Sequence, residues 1–184
     1  MKDKSKITSG NRFVLRRRIV RTIGLDTDIL MIFLENGEEY SLFKPKIFNR
    51  NNSLFVCYRV VSELIHLLTK NGKLDIKRAK DKIFSFFRQN KIRLIKYSQT
   101  NANLVEQILL ELKKQRQVNK INAGDSDLRI ISIYNSHNID CIISRNTFHF
   151  EPFCKYLNIE YEKPIKDLDI MLKRTFGWQK NRKK

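Results

Sequence analysis

Short apolar runs alternate along this chain with segments of helical periodicity, and that alternation restricts the fold more than any other feature. Thr22-Ile23-Gly24-Leu25 ends abruptly at Asp26 and reads as a buried strand. Residues 27–35 (TDILMIFLE) read as a first helix, stopped by Asn36-Gly37. Residues 38–53 are irregular, and Lys44-Pro45 argues against a continuing helix. From 55 to 68, Val60, Val61, Leu64, Leu67 and Leu68 recur at helical spacing, and Asn71-Gly72 closes the segment. Asp75 is an N-cap for the next helix, which has Ile76, Ala79, Ile83, Phe86 and Phe87 on one face. Lys77, Arg78, Lys80, Lys82 and Arg88 occupy the other face. Residues 92–95 are a second strand, and 103–118 form a helix with Leu104, Val105, Ile108, Leu109 and Leu112 as its stripe. Another helix starts near Ser126, 140–144 is a third strand, and a short helix over 151–157 precedes a small strand at 159–161. Strands separated by helices require a mainly parallel sheet covered on both faces, an α/β chain.

A length of 184 residues suits one domain, here 22–165, between a basic arm at 1–21 and a basic tail at 166–184. Lys and Arg number 37 against 19 Asp and Glu, a formal charge of +18. Self-repulsion of that size is relieved by a polyanionic partner, nucleic acid first and an anionic membrane surface second. The candidate nucleic-acid contacts are Arg16, Arg17 and Arg18 in the arm, Lys77 and Arg78 on the basic helix face, and Arg145 beside the third strand. Arg174, Trp178 and Lys180 join them from the tail, with Trp178 as the stacking residue. Cys57, Cys141 and Cys154 are odd in number and match no zinc or disulfide spacing, so they read as buried thiols in a reducing compartment. No apolar run approaches the ~20 residues of a membrane span, so the expectation is a soluble, cytoplasmic protein. Nucleotide-binding glycine loops and Ser-His-Asp motifs are absent from the sequence. His66, His137 and His149 read as lone residues, and Phe148, Phe150, Phe153 and Tyr156 as core.

In parallel sheets the chemistry lies past the carboxyl ends of the strands. Asp26 closes the first strand, Asn146 follows the third, and Asp125 and Asp127 head the helix leading into that third strand. Glu63 is mid-helix at the edge of an apolar face. Taken singly, Asp26 is also an ordinary N-cap, Asp125 or Asp127 also a helix cap, and Glu63 also a side chain reaching solvent. Taken together they are hard oxygen donors, which repel one another unless a divalent cation lies between them. Mg²⁺ or Mn²⁺ held this way acidifies a bound water and neutralises charge on a scissile phosphate.

Four segments, in order, resemble the motifs of the PIN domain. They are IGLDTDIL from Ile23, VVSEL ending at Leu64, GDSDLRII from Gly124 and CIISRNTFHF from Cys141, and the likeness runs from about Ile23 to Lys163. The resemblance implies a Rossmann-like three-layer α/β/α sandwich and a Mg²⁺- or Mn²⁺-dependent endoribonuclease. Asp26, Glu63 and Asp127 would be its main metal-binding carboxylates, with Asp125 two residues from the better match. Asn146 stands where many members carry a fourth Asp, and Asp28 partly compensates for the missing charge. The implied mechanism is in-line attack by metal-activated water, leaving a 5′-phosphate and a 3′-hydroxyl. Two other roles go with the resemblance: an RNA-binding module with an idle site, which Asn146 favours, and a toxin paired with an antitoxin protein. DNA stays open as a substrate, and a homodimer is expected by analogy.

Overall fold

The computed structural model describes residues 20–35, 47–48 and 51–164. Within them the elements run β1 (Arg21–Leu25), α1 (Thr27–Glu35), β2 (Asn52–Cys57), α2 (Tyr58–Thr69), α3 (Ile76–Gln89), β3 (Arg93–Ile95) and α4 (Ala102–Val118). They continue with α5 (Asp125–Ser136), β4 (Cys141–Ile143), α6 (Thr147–Tyr156) and β5 (Glu160–Glu162). The stop signal at Asn36-Gly37, Lys44-Pro45, and both basic termini with Arg16, Arg17, Arg18, Arg174, Trp178 and Lys180 lie outside the described residues.

The five strands form one all-parallel sheet in the order β3-β2-β1-β4-β5. Ile23, Gly24 and Leu25 on β1 are buried in succession, as are Cys141, Ile142 and Ile143 on β4. Because neighbouring strand residues point to opposite faces, both faces of the central strands are covered, as the alternating pattern requires. Helix α1 packs on α2 and α3, while α5 packs on α4 and α6.

Helix α3 begins at the N-cap read from the sequence, where Asp75 Oδ1 accepts from the Arg78 amide at 2.8 Å. Its apolar side buries Ala79, Ile83 and Phe87, while the five basic side chains of the other face stay exposed. Asn101 caps α4 in the same way, accepting from Leu104 N at 3.2 Å, and that helix buries Val105, Leu109 and Leu112.

Three expectations need correction. The segment from residue 55 is not one helix: Asn52–Cys57 is a strand central to the sheet, paired with β1 and β3, and the helix starts at Tyr58. Residues 54–61 are apolar or aromatic except for Arg59, with no Gly or Pro between strand and helix, so periodicity has no boundary to mark. Helix α6 starts at Thr147 rather than near 151. Finally, Phe148 is 85% exposed and Tyr156 is exposed, whereas Phe150 and Phe153 are core.

Position 24 requires glycine. A Cβ there would lie 2.9 Å from the Tyr134 ring, so the buried phenol on α5 rests directly on the β1 backbone. The Tyr134 hydroxyl donates to the Leu25 carbonyl at 2.6 Å, fixing β1 one residue before Asp26. All three cysteines are buried and free, and burial pushes each thiol up to about 12. They are packing residues.

Candidate active site

The sheet reverses its strand order between β1 and β4, which places a crevice past the carboxyl ends of those two strands. Asp26 follows β1 there and is 6% exposed. Its amide donates to the Ile143 carbonyl at 3.1 Å, tying it to the end of β4. Oδ1 accepts from the Thr27 amide at 2.7 Å, and Oδ2 accepts from the Ser144 hydroxyl at 2.7 Å. Burial, then the neighbouring Asp28 charge, push this carboxyl up to about 8 despite those two donors.

Asp28, on the first turn of α1, is raised by the same cause, burial. Oδ2 accepts from the Arg145 amide at 2.8 Å. Among the described residues Oδ1 is buried with no hydrogen-bond partner. A buried carboxylate oxygen without a donor is costly, and a cation is what such an oxygen accepts in place of a hydrogen bond.

Glu63 reaches the same rim from α2. Thr27 Oγ donates to Oε2 at 2.6 Å and Ser126 Oγ donates to Oε1, so the residue after Asp26 and the residue before Asp127 both hold it. Arg59 lies one helical turn earlier, with Nε 3.7 Å from Oε1. Asp127 Oδ2 accepts from the Gly124 amide at 3.2 Å, which caps α5, and from His149 Nδ1 at 2.8 Å. The charge of Asp127 is felt at both Asp26 and Asp28. The Asn146 amide group lies 2.6 Å from the same His149 nitrogen. With that nitrogen donating to Asp127, the amide oxygen is the compatible neighbour.

The fold thus gathers Asp26, Asp28, Glu63, Asp127 and Asn146 from distant parts of the sequence. Asp125 is not among them. It accepts from Arg116 at 2.7 Å and lies 3.3 Å from Lys113, both on α4, and these cations hold its carboxyl below the ordinary range. Arg145 is exposed on the rim, whereas Lys77 and Arg78 are exposed on α3, with Arg78 paired to Asp75 at 3.3 Å.

The donor set is mainly hard carboxylate oxygen, which suits a divalent cation such as Mg²⁺ or Mn²⁺. Among the described residues no three His, Cys, Asp or Glu side chains already stand as a closed metal cluster. The Thr27 and Ser126 hydroxyls hold the Glu63 carboxylate between α1 and α5, where a cation would compete with them.

Residue-by-residue reading dismissed His149 as a lone histidine. Its signal was its position three residues after Asn146 at the head of a helix, which puts both on one face. Thr27, Ser126 and Ser144 have no chemistry of their own to mark them. They matter because each donates to one of the acids.

Solved structures share this architecture. VapBC-1 from nontypeable Haemophilus influenzae superimposes with a TM-score of 0.60 at 15% identity, over 78% of this chain and 98% of that one. VapBC2 from Rickettsia felis, solved bound to a DNA fragment from its promoter, gives 0.61 at 18% identity, over 77% and 98%. The fold is that of a PIN domain. FitAcB from Neisseria gonorrhoeae superimposes as well, at a TM-score of 0.54 and 16% identity, over 77% of this chain and 97% of that one. No protein-family model and no curated protein matches the sequence. The crevice holding Asp26, Glu63 and Asp127 is therefore the strand-order switch point of a PIN sheet.

Proposed function

We propose that this chain is a divalent-metal-dependent endoribonuclease acting at the β1–β4 crevice. The observation that carries the reading is the crowding of Asp26, Asp28, Glu63 and Asp127 at one rim, with Asp26 raised to about 8 and one Asp28 oxygen unpartnered. On a chain of +18 formal charge, this is a local acidic site on a surface that attracts polyanions. Asp26, Glu63 and Asp127 would hold the cation, with Asp28 adding charge opposite Asn146. Bound there, Mg²⁺ or Mn²⁺ supplies a more acidic water and neutralises charge on the scissile phosphate. Ser144 and Thr27 fix the Asp26 carboxylate, His149 orients Asp127, and Arg145 stands exposed where a phosphate backbone approaches. A protein partner of the antitoxin kind belongs to the same proposal and is supported by the VapBC and FitAB neighbours. The test is incubation of single-stranded RNA with the protein in Mg²⁺ or Mn²⁺. Cleavage to 5′-phosphate ends, lost in chelator and in Asp26→Asn and Glu63→Gln variants, is expected; undiminished cleavage in chelator refutes it.

Asn146 favours a second reading, an RNA-binding module with an idle site, because an amide brings no negative charge to the fourth position. Salt-sensitive RNA binding without cleavage in either metal would establish it.

A further inference from the structure

Beside the carboxylates, a cleft of about 740 Å³ runs between the chain that follows α4 and one face of α6. Lys120, Ile121 and Asn122 form one wall, and Phe148, Glu151, Pro152 and Lys155 line the other, together with His149. The volume falls in the ~300–1,000 Å³ range of ligand sites. His149 belongs to both places, since its ring lines the cleft and its Nδ1 lies 2.8 Å from Asp127. The cleft therefore adjoins the acid rim.

Its composition is unusual for a surface left to water. Phe148 is 85% exposed, more than any other large hydrophobic among the described residues. Among the described residues no aromatic ring packs on it, and neither Lys120 nor Lys155 has an ion pair. Phe148, Pro152 and Lys155 fall at i, i+4 and i+7, on one side of α6. An open aromatic face between two unpaired cations, with Glu151 the one acid, matches one nucleotide: the base stacks on the ring and the flanking phosphates meet the ammoniums.

We propose that this cleft is the subsite for an unpaired nucleotide of single-stranded RNA next to the bond to be cut, with Phe148 as its stacking platform. The inference rests on the nuclease reading for the identity of the ligand, but it concerns binding. A duplex does not fit, because its bases are already stacked on each other.

The test is binding of a short fluorescent single-stranded RNA to the full chain in chelator, where cleavage plays no part. Phe148→Ala is expected to weaken binding about 5- to 150-fold, the usual worth of one stacked base. Phe148→Trp should retain binding, whereas Phe148→Leu, which keeps apolar area without a π-face, should not. Lys120→Gly removes a cation at a left-handed φ of 51° that glycine adopts freely, so the turn survives. That variant and Lys155→Gln should each flatten the logarithmic salt dependence by about 0.7, and duplex RNA should be indifferent to Phe148→Ala. Equal binding by wild type, Phe148→Ala and Phe148→Leu would overturn the proposal. So would a wild-type dimer that Phe148→Ala dissociates, since a second copy would then cover the ring. Phe148-dependent binding without metal-dependent cleavage would uphold the subsite and sink the nuclease reading; cleavage indifferent to Phe148 would do the reverse.

Discussion

At Asp26, burial and the Asp28 charge raise the carboxyl from 3.8 to about 8, so the folded chain holds a proton there that an unfolded chain gives up. The unfolded carboxyl is ionised above about pH 4. Its contribution to stability therefore falls as pH rises from that value through about 8. His137, which burial lowers, acts in the opposite sense, and Asp28, which burial raises beside Asp26, in the same sense. Measured without divalent ions, the melting temperature of wild type relative to Asp26→Asn should drop between about pH 5 and pH 8.5, and a pH-independent difference would contradict this. Mn²⁺ should narrow the gap at the alkaline end. His149 is the second residue-scale claim. It touches Asp127 through Nδ1 at 2.8 Å, so His149→Ala should slow RNA cleavage about 10- to 100-fold, the usual cost of losing a ligand's orienting partner. A rate equal to wild type would remove it from the site.

At the scale of elements, β1 and α5 meet at Gly24. A methyl group there meets the Tyr134 ring at 2.9 Å and threatens the bond from its hydroxyl to the Leu25 carbonyl. Gly24→Ala should therefore cost about 1–3 kcal/mol in urea unfolding, and an unchanged midpoint would show that the ring moves freely. Asp75→Ala should cost about 1 kcal/mol as a lost helix cap, without effect on cleavage. That cap, the end of β1 and the start of α1 were legible because Asp75 and Asp26 mark them sharply. Strand β2 was not, because Cys57 passes to Tyr58 with no breaker and the run stays apolar on both sides. The start of α6 was hidden by Pro152, which sits inside the helix and reads locally as an opening residue.

For the whole molecule, the crevice follows from strand order, and strand order is a long-range property. Asp26, Glu63 and Asp127 were legible as candidates because each stands at a strand end or a helix edge. The resemblance already favoured Asp127 over Asp125 by its spacing, but the contacts of Asp125 with Arg116 and Lys113 on a different helix were not legible. Exposure of Phe148 was equally invisible, because an aromatic beside a buried strand has the same local pattern as its core neighbours Phe150 and Phe153. The basic surface should make RNA affinity fall steeply with salt, whereas the acid rim should respond to divalent ions specifically. The most direct measurement is a Mn²⁺ titration followed by electron paramagnetic resonance on wild type, Asp26→Asn and Glu63→Gln. The account predicts a saturable wild-type site weakened at least about tenfold in each variant. Equal Mn²⁺ binding by all three proteins would contradict it.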